Sequence, residues 1–329
     1  MKEPERAEVG CEEPISVHIA GWDQFNATFH RRDILQIESR KKVYHVLHTY
    51  GVTTEATFTE GMAEFVKKGL ERGTTEQFVL GWLFIFGCGV EQDPTKAQRL
   101  FALVAEGGTA PAQSALAFFY YEGKGVPRDL KRYAELYRLA ADQGNAVAQH
   151  NVACTYLSGT GLKKDEAQAK KYFQLAADQG NVASLYYLGH IYYKVDVPKA
   201  LELWHRAADK GQPDALNLLG GKYDKGGDVP MDEKKAVELW TRGADIGHAG
   251  CLYNLSTCYY LGKGGLTQDF CKSAELCYQS CVKNCLEAFY PMGLKFQTGN
   301  GVAQDTTKAK EWYRKGAALG CSSCIYSMQ

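Results

Sequence analysis

The sequence repeats itself roughly every 36 residues. Residues 109–144 (TAPAQSALAFFYYEGKGVPRDLKRYAELYRLAADQG) and 145–180 (NAVAQHNVACTYLSGTGLKKDEAQAKKYFQLAADQG) end in the same six residues, place Ala112 and Ala148 at the same point and share a Gly-x-Gly loop. Self-similarity at roughly 20 to 50 residues implies stacked supersecondary units, each too small to bury its apolar face alone. The phase runs upstream to 73–108 and downstream through 181–211, 212–247, 248–284 and 285–320, seven units in all, and Gln329 falls within the expected first helix of another. Unit 181–211 is five residues short because its Gly-x-Gly turn is missing between Tyr193 and Lys199, and 248–284 has one extra residue beside Gly264-Gly265. Both changes fall in the loop, where length is tolerated because the helix faces keep their register.

Within a unit the spacing predicts two short helices. In 145–180, Ala148, Val152, Ala153 and Tyr156 recur at three and four residues, as one buried helix face requires. Gly159 and Gly161 stop that helix, since glycine takes the left-handed conformation cheaply. A second helix then buries Ala169, Tyr172, Phe173, Ala176 and Ala177 and ends at Gly180. Small alanines let helices approach, and Tyr or Phe fills the space between pairs.

This pattern resembles the Sel1-like repeat family, relatives of the tetratricopeptide repeats. Its positions are met by Ala183, Leu188-Gly189, Tyr192, Lys199-Ala200, Leu203-Trp204, Ala207-Ala208 and Gly211 in the short unit. In the seventh they are met by Ala288, Met292-Gly293, Phe296, Gly299, Gly301-Val302, Asp305, Lys308-Ala309, Trp312-Tyr313 and Gly320. The resemblance covers 73–329 and implies an all-α fold, an α/α solenoid (right-handed superhelix) of helix-turn-helix repeats. Residues 1–15 are expected to be a disordered acidic segment, and 16–72 an N-terminal helical cap or a diverged repeat, because a solenoid's end units otherwise expose core. The family implies a scaffold or adaptor for protein partners, not a particular partner.

Lys plus Arg equals Asp plus Glu at 38 each, so no net field favours nucleic acid or an anionic membrane. The longest apolar stretches, such as 78–90, are too short and glycine-broken to span a bilayer. The acidic start MKEPERAEVGCEEP has the character of neither a secretory signal nor a transit peptide, so the expected location is cytoplasmic, with nucleus and mitochondrial intermembrane space as alternatives. No enzymatic activity and no cofactor are expected. P-loop, HExxH, GxSxG and GxGxxG signatures are missing, and Gly123-Lys124-Gly125 is the repeat turn, recurring as Gly159-Thr160-Gly161 and Gly299-Asn300-Gly301.

Eight of eleven cysteines lie between Cys251 and Cys324, with Cys277, Cys281 and Cys285 at spacings of four, as if on one helix face. Small buried thiols standing in for alanine in a reducing compartment are the favoured reading. The alternative rests on resemblance: GKGGLTQD before a Cys-rich helix is similar to Sel1 proteins of the intermembrane space that assist respiratory-chain assembly, which implies disulfides. Metal comes last, since Cys321-x-x-Cys324 is one half of a zinc signature without a second. His45 and His48 are read as a solvated helix face.

If first helices line an inner side, as in the tetratricopeptide relatives, positions six, ten and thirteen of each unit face a concave groove. That stripe is rich in aromatic side chains, and its candidate partner-binding residues are Trp82, Phe118, Tyr121, His150, Tyr186, His190, Tyr193, Asn217, Tyr253 and Tyr260. Tyrosine offers a rigid apolar body with one hydrogen-bonding tip, suited to holding a peptide or helix. The competing reading is that these rings pack between adjacent first helices. Positions six, ten and thirteen hold no Lys or Arg, so the expected ligand is apolar or tyrosine-contacting rather than a phosphopeptide or terminal carboxylate. The short unit is expected to bend the stack near 193–199.

Overall fold

The computed structural model describes residues 75–88 and 90–327, together with Leu47, Met62 and residues 65–68. The readings of 1–15 and of most of 16–72 lie outside the described residues, as do His45 and His48. From Thr75 to Tyr326 the described residues form fifteen α-helices, and the chain is an α/α solenoid of tandem helix pairs. The pairs are α1 (Thr75–Phe86) with α2 (Pro94–Glu106), α3 (Ala110–Glu122) with α4 (Leu130–Asp142), α5 (Ala146–Ser158) with α6 (Glu166–Asp178), and α7 (Val182–Tyr193) with α8 (Val197–Asp209). Then come α9 (Pro213–Lys225) with α10 (Glu233–Asp245), α11 (Ala249–Leu261) with α12 (Phe270–Val282), α13 (Leu286–Thr298) with α14 (Thr306–Ala318), and the short α15 (Ser322–Tyr326).

Each second helix starts in the same way. Asp93, Asp129, Asp196, Asp232, Asp269 and Asp305 are N-caps whose carboxylates accept from backbone amides of the first turn, and Asp165 accepts from the Gln168 amide at 2.9 Å. Such a cap satisfies amides that have no partner inside the helix and contributes about 1 kcal/mol. The helices end at Gly108, Gly144, Gly180, Gly211, Gly247 and Gly320, all at positive φ, while Asn284 fills that place at φ 59° in the sixth repeat. The second glycine of the Gly-x-Gly loop has a further reason to be glycine: a Cβ on Gly161 would run into the Leu130 carbonyl oxygen, and one on Gly301 into that of Phe270. In the short repeat only residues 194–196 separate α7 from α8.

The chain divides into two compact units, one ending at Ala176 and the other starting at Ala177. In the first, Val79, Leu80, Leu83, Phe84, Leu100, Phe101 and Phe119 form one buried cluster that also takes in Leu47, Met62, Phe65 and Val66. In the second, Leu188, Leu203, Trp204, Leu219 and Trp240 are buried, followed by a cluster of Cys277, Cys281, Phe289, Met292, Tyr313 and Cys324. The recurring lock of both units is a second-helix ring seated on a first-helix glycine. Phe101 lies 2.9 Å from a Cβ position on Gly81, and Trp204, Trp240 and Tyr313 press likewise on Gly189, Gly220 and Gly293.

Candidate functional site

In the first unit the candidate residues stand on α1, α3 and α5. Trp82 stacks on Phe86 at 5.7 Å and meets Phe101 edge-on at 5.4 Å. Phe118 and Tyr121 are exposed; Lys124 Nζ sits 5.4 Å above the first ring, and Tyr133 lies 5.1 Å from the second. His150 is 5.5 Å from Phe173, and burial holds its imidazole below the ordinary pKa.

The second unit brings Tyr186, His190 and Tyr193 of α7 together around one ring. Tyr186 and His190 are 4.6 Å apart, and His190 and Tyr193 lie 5.2 and 5.3 Å from Trp204, whose Nε1 donates to the Tyr186 carbonyl at 3.1 Å. Tyr193 Oη donates to Asp228 at 2.8 Å. Lys222 of α9 lies 4.2 Å over the Tyr193 ring and is ion-paired with Asp228. Asn217 accepts from Asn254 Nδ2 at 2.9 Å and so serves a helix-to-helix bond rather than a ring cluster. Tyr253 and Tyr260 of α11 are half-buried, Tyr260 being 5.3 Å from Phe270. Several rings of the stripe lean on the second helix of their own repeat, as Trp82 on Phe101, Tyr121 on Tyr133, Tyr193 on Trp204 and Tyr260 on Phe270. This differs from packing between adjacent first helices. None of the ten candidates is fully buried.

Around Tyr253 and Tyr260 the repeat departs from its own pattern. The second-helix ring found at Phe101, Tyr137, Phe173, Trp204, Trp240 and Tyr313 is Cys277 here, the first-helix glycine or alanine is Ser256, and the residue four before the missing ring is Ser273. A cavity of about 210 Å³ results, lined by Tyr253, Ser256, Thr257, Tyr260, Ser273, Pro291, Leu294, Lys295, Thr298 and Asn300. Tyr253, Ser256 and Tyr260 occupy the same first-helix positions as Tyr186, Gly189 and Tyr193, which grip Trp204. The cavity therefore stands where the other repeats hold a ring. Lys295, of α13, is 6 % exposed; its Nζ donates to Ser273 Oγ at 2.7 Å and lies 4.7 Å over the Tyr260 ring. Ser273 Oγ donates in turn to the Ser256 carbonyl at 2.7 Å.

Lys222 and Lys295 both sit at position eleven of their repeats, one residue past the position-ten stripe, so a reading confined to positions six, ten and thirteen passes over them. Position eleven faces inward elsewhere, as Leu83, Phe119, Thr155, Ile191 and Cys258 show. A lysine at such a place was the available signal.

The buried cysteines act as packing volume, whereas Cys271 is exposed. Cys251 Sγ lies against Gly243 and Cys324 Sγ against Gly316, where the short repeat and its neighbour have Ala207 and Ala215. An alanine pair is thus exchanged for a glycine and a thiol, an approximately volume-conserving swap. Burial raises the Cys251 and Cys324 thiols to about 12, far from nucleophilic at neutral pH. Cys277 and Cys281 share a face of α12, whereas Cys285 lies beyond the helix and starts α13, so the three do not share one helix. Cys277 is held below its ordinary value by its hydrogen bond with Cys281 and by the charge of Lys295. None of the ten described cysteines forms a disulfide, and no group of three metal-ligating side chains occurs among the described residues. Nor, among them, is any helix long and apolar enough to cross a membrane. At the last helix Cys324 is buried, while Ile325 and Tyr326 are exposed.

The Sel1 repeat family model matches residues 77–109, 110–145, 146–181, 181–212, 213–248, 249–281 and 292–321. Among solved structures the chain is similar to a protective antigen of uropathogenic Escherichia coli strains displaying an SLR fold, at 31 % identity and TM-score 0.67 over 80 % of this chain; it spans 58 % of that antigen's length. It is similar also to a Sel1 repeat protein from Oxalobacter formigenes, at 26 % identity and TM-score 0.66, covering 93 % of this chain and 88 % of that one. No curated protein matches.

Proposed function

The chain belongs to the Sel1 repeat family, and from that premise we propose that it is a non-enzymatic scaffold that binds a protein or peptide partner on the aromatic face of its first helices. Sel1 repeat proteins generally act as protein–protein interaction scaffolds. The observation that carries the reading is the exposure on first helices of Phe118 and Tyr121 in the first unit, where Trp82 and His150 are half-buried, and of His190 and Tyr193 in the second, where Tyr186, Asn217, Tyr253 and Tyr260 are half-buried. Rings fixed on one side and wet on the other offer contact area at little further entropic cost. Tyr193 is held by Asp228 and capped by Lys222, which together leave a neutral surface suited to an apolar segment. Burial and the nearby Lys222 keep His190 below its ordinary pKa, so this surface carries no imidazolium at neutral pH.

Thiols used as packing volume accord with a reducing compartment, cytosol or nucleus. The test is affinity capture from the source cell with the intact protein and with a Tyr121→Ala, Tyr193→Ala variant whose helicity is checked by circular dichroism. Partners lost from the folded variant are expected. Partners retained at full yield by it would overturn the reading.

A further inference from the structure

The cavity of the sixth repeat contains a buried cation with unused donors. Lys295 has three N–H groups; one is given to Ser273 Oγ, and the Tyr260 ring face lies beneath the charge. Three other lysines of this unit are ion-paired: Lys222 with Asp228, Lys263 with Asp224 and Glu233, and Lys272 with Glu275. For Lys295 no carboxylate partner is found among the described residues, although it is the most buried of the four. Cys277 and Lys295 each favour the other's charged form, but Cys277 Sγ stands 3.4 Å from the Ala288 carbonyl as donor, a contact that only the protonated thiol makes.

A buried ammonium without an anion is costly and calls for a counter-charge from outside the chain. The walls indicate what carries that charge. Tyr253, Tyr260 and Leu294 bound a slot that in six other repeats is filled by an aromatic ring, and Lys295, Ser256 and Ser273 make its polar end. At about 210 Å³ the space falls below the usual range for drug-sized ligands and fits one side chain or one small acid.

We propose that this cavity binds a carboxylate carried on a short apolar or aromatic stem, the carboxylate accepting from Lys295 Nζ and the stem taking the place of the absent ring. The carboxylate comes from a free organic acid or from the Asp or Glu side chain of a partner segment; the chemistry recognised is the same. The proposal does not depend on the exposed rings of the scaffold reading. Burial pushes the Lys295 amine below its ordinary pKa, which accords with a charge that awaits a partner.

Two probes separate the sources: 3-phenylpropionate, and the blocked tripeptide acetyl-Ala-Glu-Ala-amide. Each is titrated into the full chain by calorimetry and ligand-observed NMR, beside its neutral control, 3-phenylpropionamide or the Gln peptide. Saturable binding of an acid, weakened about tenfold or more in its amide and in Lys295→Met, supports the site, as expected for loss of one charge-assisted hydrogen bond. Cys277→Tyr restores the ring of the other repeats and is expected to abolish binding by filling the slot. A tighter free acid identifies a metabolite-type ligand, and a tighter Glu peptide a partner side chain. Failure of both acids to saturate at millimolar concentration, or equal binding of acid and amide, would overturn the proposal. Retention of the Tyr121/Tyr193-dependent partner in Lys295→Met would separate this outcome from the fate of the scaffold reading.

Discussion

The fourth and sixth repeats are built from the same pair of helices but treat the space between them in opposite ways. In the fourth, Trp204 of α8 lies on Gly189, donates to the Tyr186 carbonyl and is covered by Lys222, itself paired with Asp228. In the sixth the ring has become Cys277, the glycine Ser256, and the lysine that reaches over from the next repeat, Lys295, has no paired acid. Losing the ring alone would leave a dry void. Here two serines and a lysine line the gap with polar groups that hydrogen-bond one another, which keeps helices α11 and α12 together without filling the space. A solenoid tolerates such a change because each repeat contacts only its neighbours, so one pair can be specialised while the rest hold the stack.

The largest expected effect comes from breaking the filled repeat. Trp204→Ala removes a fully buried ring and is expected to cost about 3–5 kcal/mol. Cys277→Ala, at the same position of the sixth repeat, removes one sulfur atom and is expected to cost about 1 kcal/mol. Urea unfolding, followed by regional hydrogen exchange, measures both. Equal costs would mean that the two repeats do not differ in how they are held. Next in size is Gly189→Ala, expected to cost about 1–3 kcal/mol because the new methyl meets the Trp204 indole. Trp204→Leu in the same chain should relieve part of that cost, giving a double-mutant coupling.

The period, the two helices per unit and the glycines at their ends were legible in the residues, because small-residue spacing and Gly-x-Gly loops report backbone geometry directly. Seven recurrences of Asp at the second-helix start also stood in the sequence; their capping role depends on an amide geometry that residue type alone does not show. The aromatic stripe was legible as a list. What each ring meets was not, since Tyr193 and Tyr260 occupy equivalent positions and yet one meets a tryptophan and the other borders a cavity. That cavity depends on the coincidence of Ser256, Ser273 and Cys277 in one repeat with Lys295 in the next, and any one of them by itself reads as an ordinary substitution.

A smaller effect of opposite sign is expected at the lysines. Lys295→Met replaces a buried charge by an apolar side chain of similar length and is expected to raise stability by about 1 kcal/mol, because the charge is carried at a cost in the ligand-free chain. Lys222→Met leaves Asp228 beside Tyr193 and should bring no gain. Thermal melting of the two variants compares them directly. Destabilisation by Lys295→Met would mean that the lysine holds α13 to α12 by its bond to Ser273 alone, and would weaken the case for a bound carboxylate.

Acid is expected to distinguish the same two regions, by the smallest margin. His190 and His205 flank the filled repeat, His190 beside Trp204 and His205 with its Nε2 3.2 Å from Tyr223 Oη. Burial lowers both pKa values from 6.5, and nearby lysines add to the shift, Lys222 at His190 and Lys235 at His205, where Asp209 opposes it. A base whose folded pKa lies below its unfolded one binds fewer protons when folded, so its contribution to stability is complete above pH 6.5 and is lost as pH falls through the lowered folded value. The capping carboxylates Asp93 and Asp305 have pKa values below 3.8, so their contribution is lost only at still lower pH. Between about pH 6.5 and pH 5 the histidines therefore set the slope. Hydrogen exchange at the two ends of that window should show faster opening of α7 and α8 at the acid end, with α11 and α12 changing less. His190→Gln and His205→Gln together should flatten the difference; an unchanged slope in that variant would assign the acid sensitivity to groups outside the filled repeat.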